Sequence, residues 1–132
     1  MQSKYPNGFY RVSIKALIRD GKGRVLVVKE DDKCWDLPGG GLDHGENIQD
    51  SLKRELFEEI GHNESFESHF VGIESMFLPE KEAWLLWIVY EVTIRDFVPK
   101  VGSHTKEVVF KNPKDFENSQ HQFEKLIHSL CG

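Results

Sequence analysis

Three glutamates, Glu55, Glu58 and Glu59, crowd one short stretch of the chain, and a glycine run, Gly39-Gly40-Gly41, precedes them. Clustered carboxylates are the hard oxygen donors that a divalent cation accepts. Glycines let a backbone carbonyl or amide come close to a ligand. Together they suit a divalent-cation site, at which a phosphate ligand can be reconciled with the acidic groups if metal ions sit between them. Each half alone is weak evidence. An acidic helix is more often a solvated face, and a glycine run is more often a plain loop.

The spacing strengthens the pair. A helix is expected from about Asn47 to Ile60, with Asn47 as its cap, Asp50 as the acidic partner of a capping box and Gly61 as a stop. At about 100° per residue from Glu55, the residues Ile48, Leu52, Leu56 and Ile60 drift from about +20° to about +140°. Glu58 falls at about −60° and Glu59 at about +40° on the same wheel. The carboxylates therefore lie beside the apolar stripe, not opposite it. Like charges at i,i+3 and i,i+4 cost about 0.2–0.5 kcal/mol per pair even when exposed. At a half-buried boundary they cost more, and a hard cation removes that penalty. Arg54 has Glu58 one turn ahead and Glu46 two turns behind, so it can brace loop and helix together.

The residues read Gly40-x5-Glu46-x7-Arg54-Glu55-Leu56-x-Glu58-Glu59-x-Gly61. This resembles the Nudix box, the signature of the Nudix (MutT-like) hydrolases: G-x5-E-x7-R-E-U-x-E-E-x-G-U, where U is a bulky aliphatic residue. Every fixed polar and glycine position matches. His62 stands where the last aliphatic residue is expected, which puts local packing in question more than chemistry. The lead-in Trp35-Asp36-Leu37-Pro38-Gly39-Gly40 is also similar to the family's approach to the box.

The resemblance implies an α/β (α+β) Nudix fold, a mixed β-sheet packed between helices. It implies hydrolysis of the pyrophosphate linkage of a nucleoside diphosphate joined to another group, with Mg2+ or Mn2+ as cofactor. By the same resemblance Glu58 and Glu59 are the principal metal ligands, helped by Glu55 and the Gly39 carbonyl. Gly40, Glu46, Arg54 and Gly61 form the structural brace of the box, and Arg54 also borders the catalytic group. The general base is open between Glu55 and Glu107; Glu107 begins an expected strand and reads equally well as an exposed strand-end glutamate. Phe9 and Trp35 are candidates for stacking a nucleobase, although such aromatics are more often core. His44, in the box loop, is a candidate phosphate contact, and His104 a candidate acid or base. A sensor module that binds a nucleotide without cutting it is the competing reading. Such modules usually lose box carboxylates, and here all are present. RNA decapping is a third reading. Pro79 lies near a position linked loosely with ADP-ribose substrates in relatives and also reads as loop punctuation.

The rest of the chain must position these groups. Tyr10, Val12, Ile14, Ala16 and Ile18 alternate with polar residues, Leu17 excepted, which predicts a strand with one buried face. Asp20-Gly21-Lys22-Gly23 is turn chemistry, and Val25 to Val28 a second strand, so a hairpin is expected. The glycine run is expected as loop. Strands are expected at Phe70–Phe77, Ala83–Ile94 and Glu107–Lys111. A final helix is expected after a Ser119/Gln122 capping box, with Phe123, Leu126, Ile127 and Leu130 on one face.

The 132 residues suit a single domain spanning 1–132. The longest apolar run, Ala83 to Tyr90, is too short for a membrane helix, which needs about 20 residues. Lys4, Pro6 and Asn7 interrupt any leader, and a cytoplasmic protein is expected. Cys34 and Cys131 are expected as free thiols. The net charge of −5, from 17 basic and 22 acidic residues, argues against a surface for long nucleic acid and weakens the decapping reading. The expected partner is a small nucleotide, and the resemblance adds a homodimer, as many relatives form.

Overall fold

The computed structural model of the chain describes residues 8–131; Lys4, Pro6 and Asn7 lie outside them. The alternating N-terminal segment is strand β1 (Tyr10–Leu17), followed by β2 (Val25–Lys29) and β3 (Gly39–Gly41). Helix α1 (Ile48–Ile60) leads to the long antiparallel pair β4 (Glu67–Leu78) and β5 (Ala83–Thr93), which turn through a 3-10 segment at Pro79–Lys81. Strand β6 (Glu107–Lys111), a 3-10 turn at Pro113–Phe116 and helix α2 (Gln122–Cys131) complete the order.

The strands form a four-stranded sheet, β3-β1-β5-β4, and a two-stranded ribbon, β2-β6. The larger sheet is mixed, because β1 runs parallel to β5 and antiparallel to β3. Its two faces carry separate cores. One packs Ile14, Ala16 and Val92 against Leu52, Leu56 and Ile60 of α1. The other packs Leu17, Trp87 and Val89 against Ile127 of α2, with Phe123, Leu126 and Leu130 beside it. The sheet thus lies between its helices, as the fold expectation has it. Among the described residues no helix is long and apolar enough to cross a membrane. Cys34 and Cys131 are free, and burial pushes the Cys34 thiol up to about 12, which leaves little thiolate.

Three local expectations are corrected. The hairpin between β1 and β2 exists only at its neck, where the Leu26 amide donates to the Ile18 carbonyl at 2.8 Å. Beyond that the strands part, because β2 reaches into both cores with Val25 and Val27 on one side and Leu26 and Val28 on the other. The glycine run is not a loop but strand β3, paired with Ser13–Lys15. The Ser119/Gln122 capping box does not form. Ser119 Oγ accepts from the His121 amide and donates to Glu124 Oε1, while His121 Nδ1 accepts from the Phe123 amide.

Candidate active site

Helix α1 carries the three carboxylates, and its ends are fixed by local chemistry. The Asn47 side chain accepts from the Asp50 amide at 2.8 Å, and the Asn47 amide donates back to Asp50 Oδ2 at 3.1 Å. Gly61 adopts a left-handed φ of 65°, and its N–H and that of His62 donate to the carbonyls of Phe57 and Leu56. His62 does not enter the core. It packs edge-on against Phe66 and its Nε2 meets the Ser65 carbonyl at 3.3 Å. The carbonyls of Glu58 and Glu59 at the end of α1 are met by a loop the sequence did not single out. Gly102 N and Thr105 Oγ1 donate to Glu59 O, and His104 N donates to Glu58 O.

Arg54 grips both the preceding loop and the helix. Its Nε and Nη2 form a two-pronged pair with Glu46 at 2.9 and 3.0 Å, and Nη2 also reaches the Gly41 carbonyl at 3.2 Å. Its Nη1 lies between Glu55 at 2.9 Å and Glu58 at 3.3 Å. The guanidinium holds the Glu46 carboxyl down at about 2. Glu55 is pushed the other way, first by burial, with Arg54 opposing and Glu58 adding to the rise.

Glu59 points inward and is almost wholly buried. One oxygen accepts from the Gly39 amide at 2.8 Å, and the other, Oε2, is buried without a partner among the described residues. On the far side of Gly39 lies Lys15, only 4% exposed. Its ammonium donates to Asp36 at 2.9 Å and to the carbonyls of Leu37 and Gly39 at 3.3 and 3.4 Å, over the Trp87 ring. Strand alternation reads Lys15 as solvent-facing. The signal against that reading was Leu17, which shares its face and shows that this face is covered too.

The other expected residues are scattered. Phe9 and His44 are exposed and share an open hollow of about 320 Å³ with Tyr10, Arg11 and Glu46. Trp35 is half-buried against the α2-side core and flanked by the ammonium groups of Lys29 and Lys111 at 4.6 and 5.1 Å. Glu107 opens β6 opposite Lys29 and is exposed. His104 is brought to Glu58 Oε2 at 3.4 Å, not to Glu107. Among the described residues no three acidic, histidine or cysteine side chains already converge as a metal cluster.

A protein-family profile for the NUDIX domain matches residues 9–128. The chain belongs to the Nudix family. It is 45% identical to an RNA pyrophosphohydrolase of Ruthia magnifica subsp. Calyptogena magnifica over 53 residues, which is 39% of this chain and 30% of that protein. It is 38% identical to a putative 8-oxo-dGTP diphosphatase of Bacillus subtilis over 47 residues, 36% of this chain and 32% of that one. The chain thus spans about a third of the length of these curated relatives. Among solved structures, the MutT protein of Methanosarcina mazei Go1 aligns with a TM-score of 0.75 at 21% identity over 96% of both chains. The NUDIX domain of Shewanella oneidensis NrtR, in complex with ADP ribose, aligns at 0.70 with 14% identity over 96% of this chain and 91% of that one. Identities this low establish the shared Nudix fold alone.

The Nudix box of this chain has the donor set for a hard divalent cation: carboxylate oxygens, one of them buried and unpartnered on Glu59, beside a backbone carbonyl. The same burial yields a test in pH. The Glu59 carboxyl ordinarily titrates at 4.5, and burial pushes it up to about 9, against the pull of Lys15 and the Gly39 amide. Between those values the folded Nudix domain holds a proton that the unfolded chain releases. Its contribution to stability is therefore full below 4.5 and is lost as pH rises toward about 9. In a chelator, the melting temperature is expected to fall from about pH 5 to about pH 8, and Glu59→Gln to flatten that slope. Thermal denaturation of both proteins checks it; equal slopes would remove Glu59 as the source.

Proposed function

We propose that the protein is a divalent-metal-dependent pyrophosphohydrolase of nucleoside diphosphate derivatives, acting as a single domain over its 132 residues. The observation that supports this reading is the pairing of the box carboxylates with their partners, Glu59 with the Gly39 amide, and Glu55 and Glu58 with Arg54. Glu59 is locked on the Gly39 amide with an oxygen to spare, and Glu55 and Glu58 are held side by side by Arg54. Curated relatives over part of the chain are named as enzymes that act on pyrophosphate linkages.

Glu58, Glu59 and the Gly39 carbonyl would hold Mg2+ or Mn2+, with Glu55 beside them. Held there, the cation would neutralise phosphate oxygens of the substrate. Glu55 keeps one oxygen on Arg54, while the other has no hydrogen-bond partner among the described residues and would orient water. Burial raises its carboxyl, which makes it a better proton acceptor than a solvated glutamate. Water adds to one phosphorus, its proton passes to Glu55, and the bridging oxygen leaves with the other phosphate. Arg54 keeps Glu55 aimed while tying the loop through Glu46. Glu107 competes for the base role from outside the box, and Phe9 and His44 border a hollow open to the rest of the substrate.

A hydrolysis panel over nucleoside triphosphates, nucleotide sugars, dinucleoside polyphosphates and 5′-triphosphorylated RNA, with Mg2+ and Mn2+, tests the reading. Metal-dependent release of a nucleoside monophosphate, pyrophosphate or orthophosphate is the expected outcome. Turnover that survives chelation would sink the mechanism, and nucleotide binding without any turnover would favour a sensor. For the base, Glu55→Gln and Glu107→Gln are compared across pH. A loss of about 10²–10⁴-fold, with the acidic limb of the profile removed, is expected for the true base. Equal, small effects reject both.

A further inference from the structure

Helix α1 ends one residue beyond Glu59, and a helix leaves its last carbonyls without partners of its own. The turn at Gly61 settles only the earlier ones: Gly61 N donates to Phe57 O, and His62 N to Leu56 O. The carbonyls of Glu58 and Glu59 come next, and the segment before β6 supplies their donors. Glu59 O accepts from Gly102 N at 3.0 Å and from Thr105 Oγ1 at 2.6 Å. Glu58 O accepts from His104 N at 3.0 Å and from Ser103 Oγ at 3.3 Å. The loop lies so close that a Cβ on Gly102 would strike the Glu58 carbonyl oxygen.

Thr105 is the centre of this docking. It is 8% exposed, and its Oγ1 accepts from Gly102 N at 3.0 Å while donating to Glu59 O. One hydroxyl thus closes the loop on itself and fastens it to the helix. The far side of the loop is fixed as well. Lys106 N donates to Lys29 O at 2.7 Å, and β6 follows at Glu107, opposite Lys29. The end of α1, where helices fray first, is therefore tied to the β2-β6 ribbon.

The two carbonyls belong to residues whose side chains form the site. Glu59 is held at both ends, its carboxyl on Gly39 N at 2.8 Å and its carbonyl on Thr105. Glu58 is held by its carboxylate on Arg54 and His104, and by its carbonyl on His104 N. A small shift of the helix end would be felt at both carboxylates at once. On the reading of Glu58 and Glu59 as metal ligands given above, we propose that Thr105 is a positioning residue of the site. Its hydroxyl fixes the backbone of Glu58 and Glu59, so that both carboxylates stay where one cation can meet them.

The test is Mn2+ binding to the full chain, without substrate and at one pH, read from the paramagnetic resonance signal of the free ion. A melting curve in chelator accompanies it. Groups that hold metal ligands from behind change affinity by about 10–100-fold when removed. Thr105→Val keeps the shape and deletes the hydroxyl; it is expected to weaken Mn2+ binding by about 10-fold and to melt about 5 °C lower. Thr105→Ser keeps the hydroxyl and is expected to bind as the unaltered protein does. Gly102→Ala lifts the loop from its backbone side, is expected to weaken Mn2+ binding likewise, and carries the test if Thr105→Val does not fold. A Thr105→Val protein that melts lower but keeps its Mn2+ affinity overturns the proposal and leaves Thr105 a plain helix cap. A Thr105→Ser protein as weak as Thr105→Val overturns it too. An unaltered protein that binds no Mn2+ removes the metal reading itself, and the role of Thr105 with it.

Discussion

Glu58→Gln is expected to lower turnover about 1,000-fold while leaving the fold intact, because charge stabilisation worth several kcal/mol is lost at about 1.4 kcal/mol per decade of rate. Of Glu55, Glu58 and Glu59 it is the most open, with 27% of its side chain exposed, so it is the one a substrate from solvent would meet first. The amide keeps the shape and removes the charge. The contacts it gives up, one Arg54 Nη1 at 3.3 Å and His104 at 3.4 Å, lie near solvent, where such pairs are worth about 0–1 kcal/mol. Activity and stability should therefore separate. Steady-state kinetics at saturating Mg2+, paired with a melting curve, reads both. A variant that keeps full activity removes Glu58 from the site. A variant that melts many degrees lower would make it a structural residue.

Gly39→Ala is expected to be the most damaging single change to the fold, with a loss of more than about 4 kcal/mol. Gly39 sits at a φ of +135°, where L residues are strained. A methyl group there would strike the Ile14 carbonyl oxygen and come within 2.8 Å of the Lys15 Cα. Both are backbone atoms of β1, the strand paired to β3, and neither can move aside without breaking the sheet. Gly40→Ala provides the contrast. Its methyl would meet the Glu55 carboxylate, with Oε1 at 2.5 Å, and that is a side chain able to turn. Gly40→Ala should fold and lose activity; Gly39→Ala should fail to fold or melt far lower. Denaturant titration of the two variants checks the ordering, and a Gly39→Ala protein as stable as Gly40→Ala would refute the steric argument.

The parts of the site legible in the sequence are those that local chemistry decides. Asn47, the apolar stripe and Gly61 fixed α1 nearly to the residue, because a cap, a periodicity and a left-handed stop each act within a few positions. The link from Arg54 to Glu46 was also readable, since both ends lie close in sequence. The glycine run was misread as loop because glycine has little strand preference of its own. Strand β3 forms there for a tertiary reason: only residues without Cβ allow the Ile14 backbone on one side and the Glu55 carboxylate on the other. Lys15 was misread because alternation shows that faces differ, not that one is wet; the sheet has a helix on each side. The docking of the Gly102–Thr105 loop on the end of α1 went unread, although His104 within it was a candidate, as its bonds pair residues more than forty positions apart.

The parallel pairing of β1 with β5 also sets an order of events during folding. The contacts that ready Arg54, Glu46 and Glu55 lie within one helix and its approach loop, and such short-range structure forms early. The other half of the centre cannot. The strand carrying Lys15 and backing Gly39 joins β5 only after the helix and the whole β4 strand between them, and non-local parallel pairing is slow. The helical carboxylates are therefore expected in place before the strand they close upon. A cation held as proposed would meet the helical carboxylates before the Gly39 carbonyl, and stopped-flow refolding with and without Mg2+ is expected to show the last phase quickened more than the first.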